Sequence, residues 1–181
     1  MPGRLVAVCA GRVRKVTIGA KESRTAIDKA PLEGPQEVRE LGLVEDRQAD
    51  KRYHGGPGKA LYAYPVEHYA FWGEDFPWGQ FGENLCIEGL PLEEELRLGD
   101  RLTIGKVEVQ ISEPRIPCLK LGWRMNDPGF VKRFADSLRC GYYLRVTRPG
   151  WLQAGDPVEH HPAPGALTVA EDFQRRMKRK R

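Results

Sequence analysis

The feature that most limits the fold is a succession of short β-branched segments divided by glycine and proline turns. Leu102, Ile104, Val107, Val109 and Ile111 alternate across Gly105-Lys106, the pattern of a half-buried hairpin with a tight turn. Residues 5–9 and 13–18 read as two strands divided by Ala10-Gly11. Residues 142–147 form another, closed by Pro149-Gly150. A Gly-Asp turn precedes a strand at Gly99-Asp100 and again at Gly155-Asp156. Strands this short, with turns this regular, predict a mainly β fold: a closed or partly open β-barrel rather than a parallel sheet.

Two or three peripheral α-helices are expected around it. Residues 65–75 open on a proline, which suits the first helical position. Asp127 is placed to cap a helix with Pro128 just inside it, Phe130, Phe134 and Leu138 on one face, and Gly141 just past its end. Thr168-Val-Ala-Glu171 is a capping box opening a short C-terminal helix. Residues 157–165, with three prolines and two histidines, read as a connector.

At 181 residues, 40% of them hydrophobic, the chain supports one domain with a core. The expected division is residues 1–160 for the barrel and 161–181 for a short C-terminal helix and basic tail. No run of about 18 apolar residues occurs, and the N-terminus lacks the pattern of a signal peptide, so a cytoplasmic, non-membrane protein is expected. The four cysteines, Cys9, Cys86, Cys118 and Cys140, include no Cys-x-x-Cys pair, and free thiols are expected. The formal charge is +4, but residues 175–181 alone carry six positive charges. Without them the chain has 23 basic and 25 acidic residues, so the body is not expected to bind nucleic acid. The tail is expected to be a solvated end.

Three segments carry candidate chemistry. In Tyr53-His54-Gly55-Gly56-Pro57-Gly58-Lys59, three glycines in four positions free backbone N–H groups to converge on an anion, and Lys59 adds charge. His54 is a candidate proton donor. A plain glycine-rich loop fits the same residues. Phe81-Gly82-Glu83-Asn84-Leu85 sets a carboxylate and an amide at a strand mouth, where Asn84 is a candidate reader of a heterocycle edge, or part of a polar turn. In Glu113-Pro114-Arg115-Ile116-Pro117-Cys118-Leu119-Lys120, two prolines stiffen the chain around a cysteine flanked by two cations. Cationic neighbours can pull a thiol from its usual pKa of about 8.5 to below 7, favouring the nucleophilic, metal-binding thiolate. The alternative is a buried structural cysteine. The four histidines show no zinc spacing, and no nucleophile elbow or dinucleotide fingerprint occurs.

Taken in order, these segments resemble the MOSC family, named after the C-terminal domain of molybdenum-cofactor sulfurase. The resemblance runs from about residue 41 to 158. It includes Leu41-Gly42-Leu43 ahead of Asp46, His54-Gly55-Gly56-Pro57, Tyr64-Pro65 with His68-Tyr69, the Phe81–Leu85 segment, Leu98-Gly99-Asp100, and Pro114-Arg115 ahead of Pro117-Cys118. The chain looks like a stand-alone bacterial member. The resemblance implies a barrel of the pyruvate-kinase barrel type and a molybdopterin form of molybdenum cofactor. Cys118 would be the molybdenum ligand or, in other members, a carrier of sulfane sulfur. His54, Gly55, Gly56, Lys59, Asn84 and Arg115 would hold the cofactor, and His54 would assist Cys118 in catalysis. Relatives include the mitochondrial amidoxime-reducing component and bacterial proteins that reduce N-hydroxylated bases.

The expected function is therefore a molybdenum-dependent oxidoreductase acting on a small N-hydroxylated substrate. A separate reductase would supply electrons, since the chain shows no flavin, haem or iron–sulfur motif. Two alternatives stand beside it. One is a sulfur carrier with a persulfide on Cys118, served by a partner cysteine desulfurase. The other is a non-enzymatic nucleic-acid-binding module using the basic tail. Pyridoxal phosphate is not expected, because it belongs to the desulfurase domain of the fused sulfurases. Glu45 stands before Asp46 where relatives often have glycine, and the helical C-terminal region of longer relatives is reduced here to about one helix.

Overall fold

The computed structural model describes residues 2–49, 55–73 and 75–179. In chain order the strands are β1 Gly3–Ala10, β2 Arg14–Ile18, β3 Lys21–Thr25, β4 Ala30–Pro31, β5 Gln36–Arg39, β6 Gly42–Leu43, β7 Leu61–Pro65 and β8 Leu85–Glu88. They continue as β9 Arg101–Ile104, β10 Val107–Pro114, β11 Tyr142–Arg148, β12 Gly150–Leu152 and β13 Pro157–His161. The helices are α1 Tyr69–Trp72, α2 Leu119–Arg124, α3 Phe130–Ser137 and α4 Val169–Lys178.

Seven strands close into a barrel in the order β13-β9-β10-β11-β7-β8-β1, with β1 pairing back onto β13. Closure removes both sheet edges, so each strand finds partners on two sides. Only β7 and β8 run parallel. The alternation along β9 and β10 produces the expected hairpin, with Ile104 opposite Val107. Leu102, Ile104, Val107, Val109 and Ile111 are all buried, and burial of each such side chain stabilises the fold by roughly 1.5–3 kcal/mol.

Residues 157–161 correct the connector expectation. They form β13, the strand that closes the barrel, with Val158 fully buried against β1 and β9. Pro157 is tolerated because it stands first in the strand, where a missing N–H costs little. The helix expected over 65–75 is also shorter. Pro65 ends β7, Val66–His68 form a 3₁₀ turn, and α1 is a single turn closed by Gly73 at φ 141°.

The cap of α3 differs from the expectation: Gly129 is the N-cap, Asp127 and Pro128 precede it, and the Asp127 carboxylate accepts the Gly129 N–H at 2.9 Å. Phe130 and Phe134 face inward as expected. The helix stops at Ser137, with Leu138 itself taking the left-handed conformation at φ 60° and Gly141 lying three residues further on. Phe130, Phe134, Trp72, Phe81 and Tyr64 pack as one aromatic cluster over β7.

The Thr168–Glu171 capping box is present, and α4 packs on β10. The basic segment begins inside this helix rather than beyond it. Arg175 and Arg176 both bridge to the buried Asp172, and Arg176 also reaches Glu113 of β10 at 2.7 Å. Among the described residues no helix is long and apolar enough to cross a membrane.

Candidate functional site

An open cleft of about 610 Å³, counting the solvent at its mouth, lies where segment 25–29, segment 46–49 and the loop after β10 meet. Among the described residues, five basic side chains line it, Lys29, Arg47, Lys59, Arg115 and Lys120, against one acidic side chain, Asp46. Of the residues singled out in the sequence, Lys59, Asn84, Arg115 and Cys118 all stand on its wall. Gly55 and Gly56 do not line it, and His54 lies outside the described residues.

Cys118 follows the stiff Ile116-Pro117 segment and sits in extended conformation immediately before α2. It is half-buried, whereas Cys9, Cys86 and Cys140 are buried in the core, and none of the four is in a disulfide. Core burial pushes the Cys140 thiol up. Cys86 is pushed up by its neighbour Cys9, by burial and by Glu83. Cys118 is thus the thiol placed to meet a ligand.

Arg115 is a buried cation on the cleft wall. It is 4% exposed, and its guanidinium is held between the rings of Tyr62 and Phe134 at 5.3 and 5.4 Å. No carboxylate pairs with it among the described residues, and its Nη1 is buried without a hydrogen-bond partner. Burial opposes its charge, but Tyr62, Tyr143 and Cys118 more than offset that, and its pKa stands above the ordinary value. Tyr143 is pushed up to about 12 by burial despite Arg115, so this tyrosine stays neutral. A buried cation with an unused donor is costly unless an anion completes it. This wall thus offers an unused cationic donor to a negatively charged group in the cleft that Cys118 also lines.

Asn84 and Asp46 support this wall. Asn84 accepts the Tyr62 N–H at 3.1 Å and donates to the Cys9 carbonyl and to Asp46 at 3.1 and 2.9 Å. Both its amide hydrogens are engaged, and one lone pair on Oδ1 remains for a ligand. Asp46 also accepts the Gly11 N–H at 2.8 Å and both bonds of Lys29 Nζ at 2.7 and 2.8 Å. This hub ties segment 25–29 to β1 and to the strap after β6.

Gly82, at φ 83°, lets segment 25–29 approach, because a Cβ there would stand 2.6 Å from Ile27 Cγ1. Its neighbour Glu83 faces inward, accepting the Gly79 and Phe81 N–H groups at 2.8 and 3.0 Å and the Tyr69 hydroxyl. Lys59 ends a short 3₁₀ turn, 5.5 Å over the Tyr143 ring and 3.9 Å from Glu113. Ser112 donates to the Gly58 carbonyl and pins that turn to β10.

The Lys29–Asp46 pair, Tyr62 and Tyr143 were not singled out as site residues in the sequence. Asp46 belonged to the family pattern, which was its only signal. Lys29 gave none, because a lone lysine after Ile27-Asp28 reads as surface until its partner is known.

Residues 50–159 match the MOSC domain family. The chain is 36% identical over 154 residues to Protein YiiM of Escherichia coli K12, spanning 81% of this chain and 68% of that protein. It is 34% identical over 165 residues to a protein of Gibberella moniliformis named Reductase, which covers 87% of this chain but 29% of the fungal protein. The crystal structure of YiiM from Geobacillus stearothermophilus superposes with a TM-score of 0.77 at 32% identity, over 96% of this chain and 83% of that one. The family match and these likenesses agree with the closed barrel, and the chain belongs to the MOSC domain family.

Proposed function

We propose that this protein binds a molybdopterin form of molybdenum cofactor in the cleft and reduces small N-hydroxylated compounds. The observation that carries this is Arg115, a buried guanidinium with an unpartnered Nη1 on the same wall as the half-buried Cys118. The donor set fits such a cofactor. A thiolate is a soft ligand suited to a metal already surrounded by sulfur. Arg115, Lys59 and Lys120 suit an anionic phosphate, and the free lone pair of Asn84 Oδ1 suits a pterin N–H.

Bound here, the cofactor supplies two-electron oxygen-atom chemistry. Overall, an N-hydroxylamine with two electrons and two protons becomes an amine and water. The chain's own residues bind and orient. Cys118 would hold the metal, and Arg115, fixed between two rings, would set the position of the anionic end. The neutral hydroxyl of Tyr143 adds no competing negative charge to the wall. His54 remains the candidate proton donor from the sequence. A separate reductase brings the electrons. The Reductase of Gibberella moniliformis supports this, because a segment similar to this chain makes up only 29% of that longer protein. The setting proposed is the cytoplasm.

Elemental and pterin analysis of protein made in a cofactor-competent host tests the proposal. Molybdenum and pterin are expected in near-equal amounts, with molybdenum lost in Cys118→Ser and pterin reduced in Arg115→Met. Metal-free protein with cyanide-releasable sulfur on Cys118 would sink this function and favour a persulfide carrier served by a cysteine desulfurase.

A further inference from the structure

We infer that the β2–β3 hairpin is the docking surface for an acidic electron-carrying protein, which rests on the redox function proposed above. Residues 12–24 hold five basic residues and one acidic residue. The segment therefore carries a net formal charge of +4, the second basic concentration of the chain beside residues 175–181. β2 and β3 form a two-stranded sheet of their own, paired with each other and outside the barrel.

Four of the five cations in this segment have no carboxylate partner among the described residues. Lys15 stands directly opposite Arg24 across the ladder. Like charges in that position weaken a hairpin, so this arrangement works against local stability. Among the described residues, Arg14 has a carboxylate partner, Asp28 at 2.5 Å, whereas Arg12, Lys15, Lys21 and Arg24 have none. All four are exposed. The contrast with the C-terminal helix is plain, since Arg175 and Arg176 are bridged to Asp172 and Glu113.

The hairpin also lies at the cleft. Its last residue, Thr25, is on the cleft wall. Arg14 sits 5.1 Å over the Trp123 ring of α2, and Arg124 of the same helix shares Asp28 with it. That helix begins directly after Cys118. Arg47 and Lys120 extend the positive charge along the cleft lining, and Leu119 between Cys118 and Lys120 is 72% exposed. An apolar contact ringed by charge of one sign is the make-up of a protein interface with a complementary, acidic partner. Nucleic acid fits less well, because the exposed apolar residue is aliphatic and Arg14 covers the Trp123 ring on which a base would stack.

Two double variants with the same change in charge test this: Lys15→Glu with Arg24→Glu, and Lys178→Glu with Arg179→Glu at the end of the C-terminal helix. The probe is a plant-type [2Fe–2S] ferredoxin, an acidic carrier, titrated calorimetrically into the purified full chain at low and high salt. Wild-type protein is expected to bind at low salt and to lose binding at high salt. The hairpin variant should bind at least about tenfold more weakly, as expected when steering charge is reversed, and the helix variant should stay near wild type.

No binding by wild type, or equal weakening in both variants, overturns the docking surface. So does salt-dependent binding of a single-stranded oligonucleotide that only the hairpin variant loses, if ferredoxin does not bind. Binding needs no turnover. A failure of the redox function is therefore read separately, as absent reduction of an N-hydroxylated purine by holoenzyme given reduced methyl viologen.

Discussion

Asp46 shows how one side chain on the cleft wall can hold the surrounding segments together. Its carboxylate takes donors from Lys29, Gly11 and Asn84 and is almost shut off from solvent, as is Lys29, with side chains 7% and 8% exposed. Removing the acceptor leaves a buried ammonium and two buried N–H groups without partners. Removing the lysine leaves a carboxylate that keeps two hydrogen bonds. Asp46→Ala is therefore expected to lower unfolding free energy by roughly 3–5 kcal/mol and Lys29→Met by clearly less, measured by urea denaturation. An equal loss in the two variants would contradict the hub. The family motifs divide on the same principle. His68 is buried against Glu93 at 2.7 Å, and Tyr69 serves Glu83, so both hold the scaffold together. Arg115 and Cys118 face the cleft. A sequence pattern marks all four alike, because it does not record which side of the barrel wall a side chain faces.

Elements formed where local rules and tertiary needs agreed. The β9–β10 hairpin follows from alternation and a glycine turn, which act over a few residues. The same is true of α4, where Thr168 Oγ1 accepts the Glu171 N–H at 3.1 Å and Glu171 accepts the Thr168 N–H at 2.8 Å. Thr168→Ala is expected to cost about 1 kcal/mol of stability, read as a lowered denaturation midpoint, with Thr168→Ser near wild type. α4 also reaches the site, since Arg176 binds Glu113, which lies 3.9 Å from Lys59. β13 went the other way. Its proline and histidines match a connector locally, and only the vacant edges of β1 and β9 make a strand of it.

For the whole molecule, barrel closure meets charge at Asp100. Burial raises the pKa of this carboxyl. Bonds from the Ala163 and Arg97 N–H groups and from His160 on β13 outweigh that, so it stands below the ordinary value. A carboxyl held low adds stability that is fully present above its unfolded pKa of about 3.9 and is lost as pH falls through the lower folded value. Asp100→Asn should therefore be less stable than wild type near neutrality. The gap should narrow on acidification below about pH 4, followed by urea denaturation across that range. A gap independent of pH would mean the bonds matter and the charge does not.

The sequence by itself determined the strand-rich class, the hairpin over β9 and β10, the capped C-terminal helix and the cysteine set between prolines and cations. Each rests on contacts between residues a few positions apart, where periodicity, turn chemistry and capping act directly. Only the tertiary structure decided that residues 157–161 close the barrel, that Lys29 meets Asp46, and that Asn84 has both amide hydrogens engaged. It also decided that Arg115 keeps a buried Nη1 without a partner while Arg176 bridges two carboxylates. Those outcomes depend on which distant groups share a buried space, and the cost of burying a charge or an N–H is set there by its partners.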